Sequence, residues 1–422
     1  MIFSLDVRPA RKGDCLLLHF GSEDERGLAI IDGGPKDVYK PHLKPRLLEI
    51  KKARGLDNQE PLPVDLLMVS HVDDDHIQGI LDLTRELTAT PNAPFLRVLD
   101  FWHNSFDEII DKDPKELTSA LTAHFGTASL DGGLPAGATL DVDKPEEVII
   151  DNLKVLASIE QGHRLQSDAN ALGFARNLEF DGNVIVAGKK KHQIADGLTF
   201  IVAGPMQPEL KALQKKYEAW LKEQQKKKKD GEAALAAYVD ESVPNLSSIV
   251  VLAQADDKSI LLTGDARGDK ILKGLELSGA LKKGGKIHVD VLKVPHHGSA
   301  RNLDVDFFER ITADHYVFSG NGEHGNPERE ALEMLFKARG KEPFEIHLTY
   351  PIDKIDEGRK ADWQKEQAKE KKSGKKPRPN WSPAKQSLEA FFKKTKLAEG
   401  QKVQIVDATK PHVIDLLDPL GF

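Results

Sequence analysis

The chain has 422 residues, of which 39% are hydrophobic and 30% charged, with a formal net charge of −7. That is enough for one large α/β domain with additions, or for two smaller domains, each with a sizeable core. The charge excludes a global positive field that would draw the molecule to nucleic acid or membrane, and a single cysteine, Cys15, excludes an internal disulfide or a thiolate zinc cluster.

In chain order, residues 2–7 and 15–20 read as strands around a turn at Lys12, Gly13 and Asp14. Residues 28–31 read as a third strand, broken by Asp32, Gly33, Gly34 and Pro35. Helical spacing follows at 43–54. Residues 64–69 read as a strand of the buried type, apolar apart from Asp65, with a polar cluster at 70–76 and a helix expected from 79 to 87. A strand is expected at 96–102. Between 107 and 176 the pattern is poor, with a helix suggested only at 115–124. A strand at 198–202 precedes an amphipathic helix carried by Leu210, Leu213, Tyr217, Trp220 and Leu221. Residues 248–253 and 259–263 read as paired strands about Asp256 and Asp257, with a helix near 270–277. Strands at 288–294 and 316–319 follow, then a helix at 328–338. Beyond 338 the composition changes. A strand is expected at 344–350, a segment dense in Lys, Glu and Gln at 362–376, and a small helix around Leu388, Phe391 and Phe392. Closing strands are expected at 403–406 and 413–417.

The strongest chemical signal is His71, Asp73, Asp75 and His76, four ligand-type side chains within six residues at the end of a buried strand. Imidazole and carboxylate together suit zinc, manganese or iron, and a polar loop at the end of such a strand is where α/β folds place chemistry. The bland alternative is a solvated acidic turn. Asp265 follows another apolar strand and is either a metal bridge or a helix N-cap. His296 and His297 are adjacent, so their side chains diverge: one would face a metal and the other substrate or an orienting partner, unless both are structural. His324 sits in a Gly-rich loop, as a proton donor or as an ordinary surface histidine.

These residues resemble a known pattern. The loop at 71–76 is similar to the His-x-His-x-Asp-His signature of the metallo-β-lactamase superfamily, with Asp73 in place of the second histidine. That departure resembles the branch containing the hydrolase domain of the DNA-uptake competence protein ComEC. Gly13-Asp14-Cys15, Ile31-Asp32-Gly33-Gly34, Asn245 to Val250, Leu262-Thr263-Gly264-Asp265, Lys293 to Ser299 and Gly320 to Pro327 match in the same order, with Asn326 where a histidine is often found. The resemblance implies a four-layer αββα sandwich over residues 1–338, with an insertion at about 107–243 and a C-terminal extension, 339–422, packing on it. It implies one or two divalent ions, zinc or alternatively manganese, on His71, Asp73, Asp75, His76, Asp265 and His296. Asp75 would also orient the attacking water, and His297 or His324 would serve the leaving oxygen. Asp32 would organise the site. Asn245, Ser248, Ser299 and Asn321 would contact substrate, although Asn245 and Ser248 suit a strand-end structural role equally. No middle histidine is evident, and His163 is the candidate to replace it.

The expected function is hydrolysis of a phosphodiester, in nucleic acid or a nucleotide, by metal-activated water. The alternatives are a hydrolase of a small carboxylic ester, lactone or thioester, and a metal-binding regulatory or scaffold component of a multiprotein system. In the last case the insertion and tail would dock protein partners or a second copy. The lysine runs at 226–229, 282–286 and 369–376 read as a phosphate rim or as solvated surface. No apolar run approaches the roughly 18 residues of a membrane span, and the N-terminus lacks a signal layout, so a cytoplasmic protein without membrane contact is expected.

Overall fold

The computed structural model describes residues 1–105, 108–109, 161–212, 214–215, 247–407 and 409–422. Among these, the strands are β1 (Ile2–Val7), β2 (Leu16–Gly21), β3 (Arg26–Ile31), β4 (Leu62–Met68), β5 (Leu96–Trp102), β6 (Ala175–Arg176), β7 (Lys191–Ala195), β8 (Leu198–Gly204), β9 (Val250–Ala255), β10 (Lys258–Leu262), β11 (Ile287–Lys293), β12 (Ile311–Phe318), β13 (Phe344–Leu348), β14 (Gln401–Ile405) and β15 (Val413–Asp415). They form two mixed sheets of an α/β fold, ordered β15-β1-β2-β3-β4-β5-β6 and β14-β13-β12-β11-β10-β9-β8-β7. Strands β3 to β6 run parallel in the first sheet, and β10 to β14 in the second.

Side chains alternate across a strand, and here both faces of the central strands are apolar. On one face Leu5, Leu18, Ala29, Leu66 and Met68 of the first sheet meet Phe200, Val251, Ile260, Val291 and Val317 of the second in a shared core. The opposite face of the first sheet, with Leu17, Leu28, Ile30, Val64 and Leu67, packs on α1 (Lys44–Ala53) and α2 (Asp74–Ala89). The opposite face of the second carries Leu252, Leu261, Leu292, Tyr316 and Ile346. It packs on α3 (Gly268–Ser278), α4 (Val305–Arg310) and α5 (Arg329–Arg339). Continuous apolar runs are what two-sided burial demands.

The helix expected from residue 79 begins at Asp74 instead. Its first turn is polar, which broke the hydrophobic period, because Asp75 and His76 face the site described below. Strand β7 and helix α4 carry no clear alternation in the sequence and were not anticipated. Residues 207–212 are helical, whereas Leu213, Tyr217, Trp220 and Leu221, the lysines at 226–229, and the helix suggested at 115–124 lie outside the described residues.

The tail is woven into both sheets: β13 and β14 extend the second, and β15 pairs with β1, Ser4 opposite Asp415. Between them, α6 (Ile352–Lys372) absorbs most of the charged segment, and α7 (Leu388–Lys394) buries Leu388 and Phe391 in the core beneath α5. Helix α6 lies on the loop after β12. A side-chain carbon added to Gly358 would sit 2.5 Å from the Asn321 carbonyl oxygen, and Arg359 Nε donates to the Gly325 carbonyl at 3.1 Å. No helix among the described residues is long and apolar enough to cross a membrane.

Candidate metal centre

The polar residues singled out above gather at the carboxyl ends of the parallel strands. His71 and Asp73 follow β4, and Asp75 and His76 open α2. Asp265 follows β10, His296 and His297 follow β11, and the His324 loop follows β12. From the β1–β2 turn, Gly13 brings the backbone against α2. A side-chain carbon there would fall 1.8 Å from the Asp75 carbonyl oxygen, so only glycine permits the approach.

Two serines and two aspartates fix the imidazole tautomers. Ser70 Oγ donates to Asp32 Oδ2 at 2.7 Å, and His71 Nδ1, 3.0 Å from the same hydroxyl, must therefore donate to it. His76 Nδ1 donates to Asp32 Oδ2 at 2.8 Å. On the other sheet, Ser319 Oγ donates to Asp14 Oδ1 at 2.5 Å, and His297 Nδ1 donates to that hydroxyl at 2.9 Å. A neutral ring protonated on Nδ1 carries its lone pair on Nε2. All three Nε2 atoms converge on Asp265: His76 and His297 lie 3.3 and 3.4 Å from Oδ1, and His71 lies 3.8 Å from Oδ2. Lone pairs and a carboxylate repel at such separations unless a proton or a metal cation is shared among them, and His76 Nε2 lies 3.3 Å from His297 Nε2. Among the described residues, His71 Nε2 and Asp265 Oδ1 are buried polar atoms without a hydrogen-bond partner, which is costly without a bound group.

Without a bound ion the charge states are mixed, His71 neutral and His76 cationic. Burial lowers the His71 pKa to about 3, and the neighbouring His76 adds to this. Burial also opposes charge on His76, but Asp265 and Asp32 outweigh it and hold its pKa well above the ordinary value. Burial opposes charge on Asp265, yet His296, His297 and His76 keep it well below the usual carboxylate range. Asp75 is lowered in the same way, burial being overcome chiefly by His76. A site of ionised carboxylates and imidazoles, with His76 giving up its second proton on binding, would suit a divalent transition ion. Two groups here could hold one: His71, Asp75 and His76, and Asp14, His76, Asp265 and His297.

Other expected residues sit at the edge. Asp73 Oδ2 is 3.8 Å from His71 Nε2, with its side chain 30% exposed. His296 Nε2 is 3.6 Å from Asp265 Oδ2, on a side chain 31% exposed. The Asn302 amide, 3.0 Å from His296 Nδ1, also reaches the Asp265 carbonyl and so donates, which leaves the His296 proton on Nε2. His324 is exposed, with Nε2 3.3 Å from Lys12 Nζ at the mouth. Ser248 Oγ accepts the Asp265 N–H at 3.2 Å, Ser299 Oγ donates to Glu328, and Asn321 bonds Glu323. His163 lies near His103, whose pKa is lowered to about 4 chiefly by burial, with His163 a minor contributor. Asn245 lies outside the described residues.

Asp14, Ser70, Ser319 and Lys293 were missed as site residues. Asp14 backs His76 and His297 on the Nδ1 side, where Lys293 contacts it; burial opposes its charge, but Lys293 drives its pKa far below the carboxylate range. The available signal was a charged residue next to an apolar stretch of strand: Asp14 before Leu16–Leu18 of β2, and Lys293 after Val291 and Leu292 of β11.

No known family profile matches the chain. Over 68 residues, 16% of this chain, it is 35% identical to microtubule-associated protein 1A of Homo sapiens. Over 58 residues, 14% of this chain, it is 40% identical to microtubule-associated protein futsch of Drosophila melanogaster. The chain spans 2% and 1% of the length of those two proteins. Among solved structures, a protein of Parabacteroides distasonis assigned as a metal-dependent hydrolase aligns with 82% of this chain and 98% of its own, at 7% identity and a TM-score of 0.31. Likenesses this short or this loose decide neither family nor activity, and the functional reading rests on the site's own geometry.

Proposed function

We propose that this chain is a metal-dependent hydrolase with the αββα sandwich of the metallo-β-lactamase superfamily, and that it cleaves phosphodiesters. The observation carrying the proposal is the convergence of three tautomer-fixed Nε2 atoms on Asp265, whose Oδ1 has no hydrogen-bond partner. His71, Asp75, His76, Asp265 and His297 would hold the ion, with Asp73 completing its exposed side and His296, protonated on Nε2, turning that N–H toward Asp265 beside it. A divalent ion there, zinc or manganese, supplies Lewis acidity, which acidifies water and offsets negative charge on a substrate oxygen.

The protein's own groups do the rest. Asp32 and Asp14, through Ser70 and Ser319, hold the rings in the ligating tautomer. Ser248 fixes Asp265 through its backbone N–H. Asp75, kept ionised, orients the attacking water. Lys12 and His324 at the mouth bind the anionic group, and His324 delivers a proton to the leaving oxygen. This cationic mouth favours a phosphodiester over a neutral ester.

The test is metal analysis together with hydrolysis of bis(p-nitrophenyl) phosphate, on wild type and Asp265→Asn. Bound zinc or manganese with turnover that the variant loses is the expected result. Bound metal with turnover of p-nitrophenyl esters alone would move the substrate to the carboxylic ester class. No bound metal after reconstitution would overturn the proposal.

A further inference from the structure

A second group of ligand-type side chains lies away from Asp265 and shares no residue with its site. His315 on β12 pairs in register with Glu345 on β13, and His347 follows two residues later on the same strand. The register partner of His347 is Val317, which belongs to the core between the sheets, so this imidazole faces inward. From the first sheet comes His412, just before β15, its carbonyl accepting the Val7 N–H. The group therefore bridges the two sheets at their tail-built edge.

Its geometry is that of a partly assembled coordination shell. His315 Nδ1 and His347 Nε2 are 3.0 Å apart, and Glu345 Oε2 is 3.9 Å from His315 Nδ1. One ligand atom from each of the three residues lies within 4.8 Å of the others. Zinc–nitrogen bonds of about 2.0–2.1 Å place tetrahedral ligands roughly 3.3 Å apart, so the imidazole pair is already near that spacing, and the Glu345 carboxylate would have to swing closer to join it. The outer contacts leave the right atoms available. Lys402 Nζ takes Glu345 Oε1 at 2.6 Å and Gln404 also bonds the carboxylate, while Oε2 lies 3.9 Å from His315 Nδ1. His412 Nε2 is 2.8 Å from His347 Nδ1, the partner that a ligating imidazole ordinarily has on its far nitrogen.

We propose that His315, Glu345 and His347 form a second binding site for a divalent transition-metal ion, zinc being the best match, with His412 orienting His347. Two nitrogens and one carboxylate oxygen make a zinc-type set with a fourth position open. That position faces outward: His315 and Glu345 are half-buried, whereas His347 is enclosed. The imidazoles are held neutral, the form that ligates. Burial, followed by His412 and His315, lowers the His347 pKa to about 2, and burial lowers His315 and His412 as well. A bound ion would tie β12 and β13 to the strip leading into β15.

The test is zinc titration by isothermal calorimetry of the full chain stripped of metal, comparing wild type, His315→Ala, Glu345→Gln and Asp265→Asn. Wild type should bind one equivalent more than His315→Ala, and Glu345→Gln should weaken that equivalent by about tenfold or more. Asp265→Asn should retain it, because the two sites are independent. Equal stoichiometry and affinity in wild type, His315→Ala and Glu345→Gln would overturn the proposal. Should His315→Ala lose its native circular dichroism spectrum, Glu345→Gln decides alone, since it removes only charge from a half-buried carboxylate, and unchanged affinity there overturns the proposal.

Discussion

Ser70 and Ser319 are small side chains with a large consequence, because each passes a carboxylate's demand for a proton to an imidazole. Replacing Ser319 with alanine strips the acceptor from His297 Nδ1 and a donor from Asp14. Zinc affinity should fall by about 10–100-fold and stability by about 1–2 kcal/mol. Competition with a chromogenic chelator reads the first and urea melts the second; affinity within about threefold of wild type would refute the tautomer account. Such residues were illegible in the sequence for a physical reason. Ser319 and Asp14 are separated by 305 positions, and nothing local in either stretch announces the other. His71, Asp265 and the His296–His297 pair were legible because each closely follows a strand, and Asp75 and His76 because they crowd with His71 into six residues. The division of labour within that pair was not, since it depends on Ser319 and Asn302 lying behind the two rings.

Among elements, helix α6 sets propensity against packing. Gly358 is interior to a helix, where alanine is worth roughly 1 kcal/mol more. Yet an added carbon would meet backbone atoms of Asn321 and Gly322 at 2.5 and 2.9 Å, and overpacking against a fixed backbone costs about 1–3 kcal/mol. Packing should win. Gly358→Ala is expected to destabilise by about 1–2 kcal/mol net and to displace the His324 loop, read by urea melts and by phosphodiester turnover. A variant as stable as wild type would show that the contact relaxes freely. Most strands were legible, because two-sided burial writes them as largely apolar runs such as β8 and β9, whereas β7 carries no such run. The start of α2 was obscured because a helix that opens onto a polar site spends its first turn on polar residues, and the pattern that reveals helices is missing there.

For the whole molecule, the tail beyond residue 338 supplies β13, β14 and β15, one edge of each sheet. A chain ending at 338 would leave β12 and β1 as bare edges and expose Tyr316, Phe308 and Leu335 of the core. It should therefore be aggregated or molten; a monodisperse product with native near-ultraviolet circular dichroism would contradict this. The pairing of β1 with β15 also has a temporal side. Every residue of the Asp265 site has been synthesised once His324 has emerged, but the strand that closes the first sheet comes about ninety residues later. At 5–20 residues per second that is a delay of roughly 5–20 s, during which His71, His76, Asp265 and His297 exist on a chain with neither sheet complete. An imidazole on an unfolded chain takes whichever ion is abundant, whereas the folded site imposes tautomer and spacing. Metal identity would then depend on how quickly ions captured early can leave as the walls close.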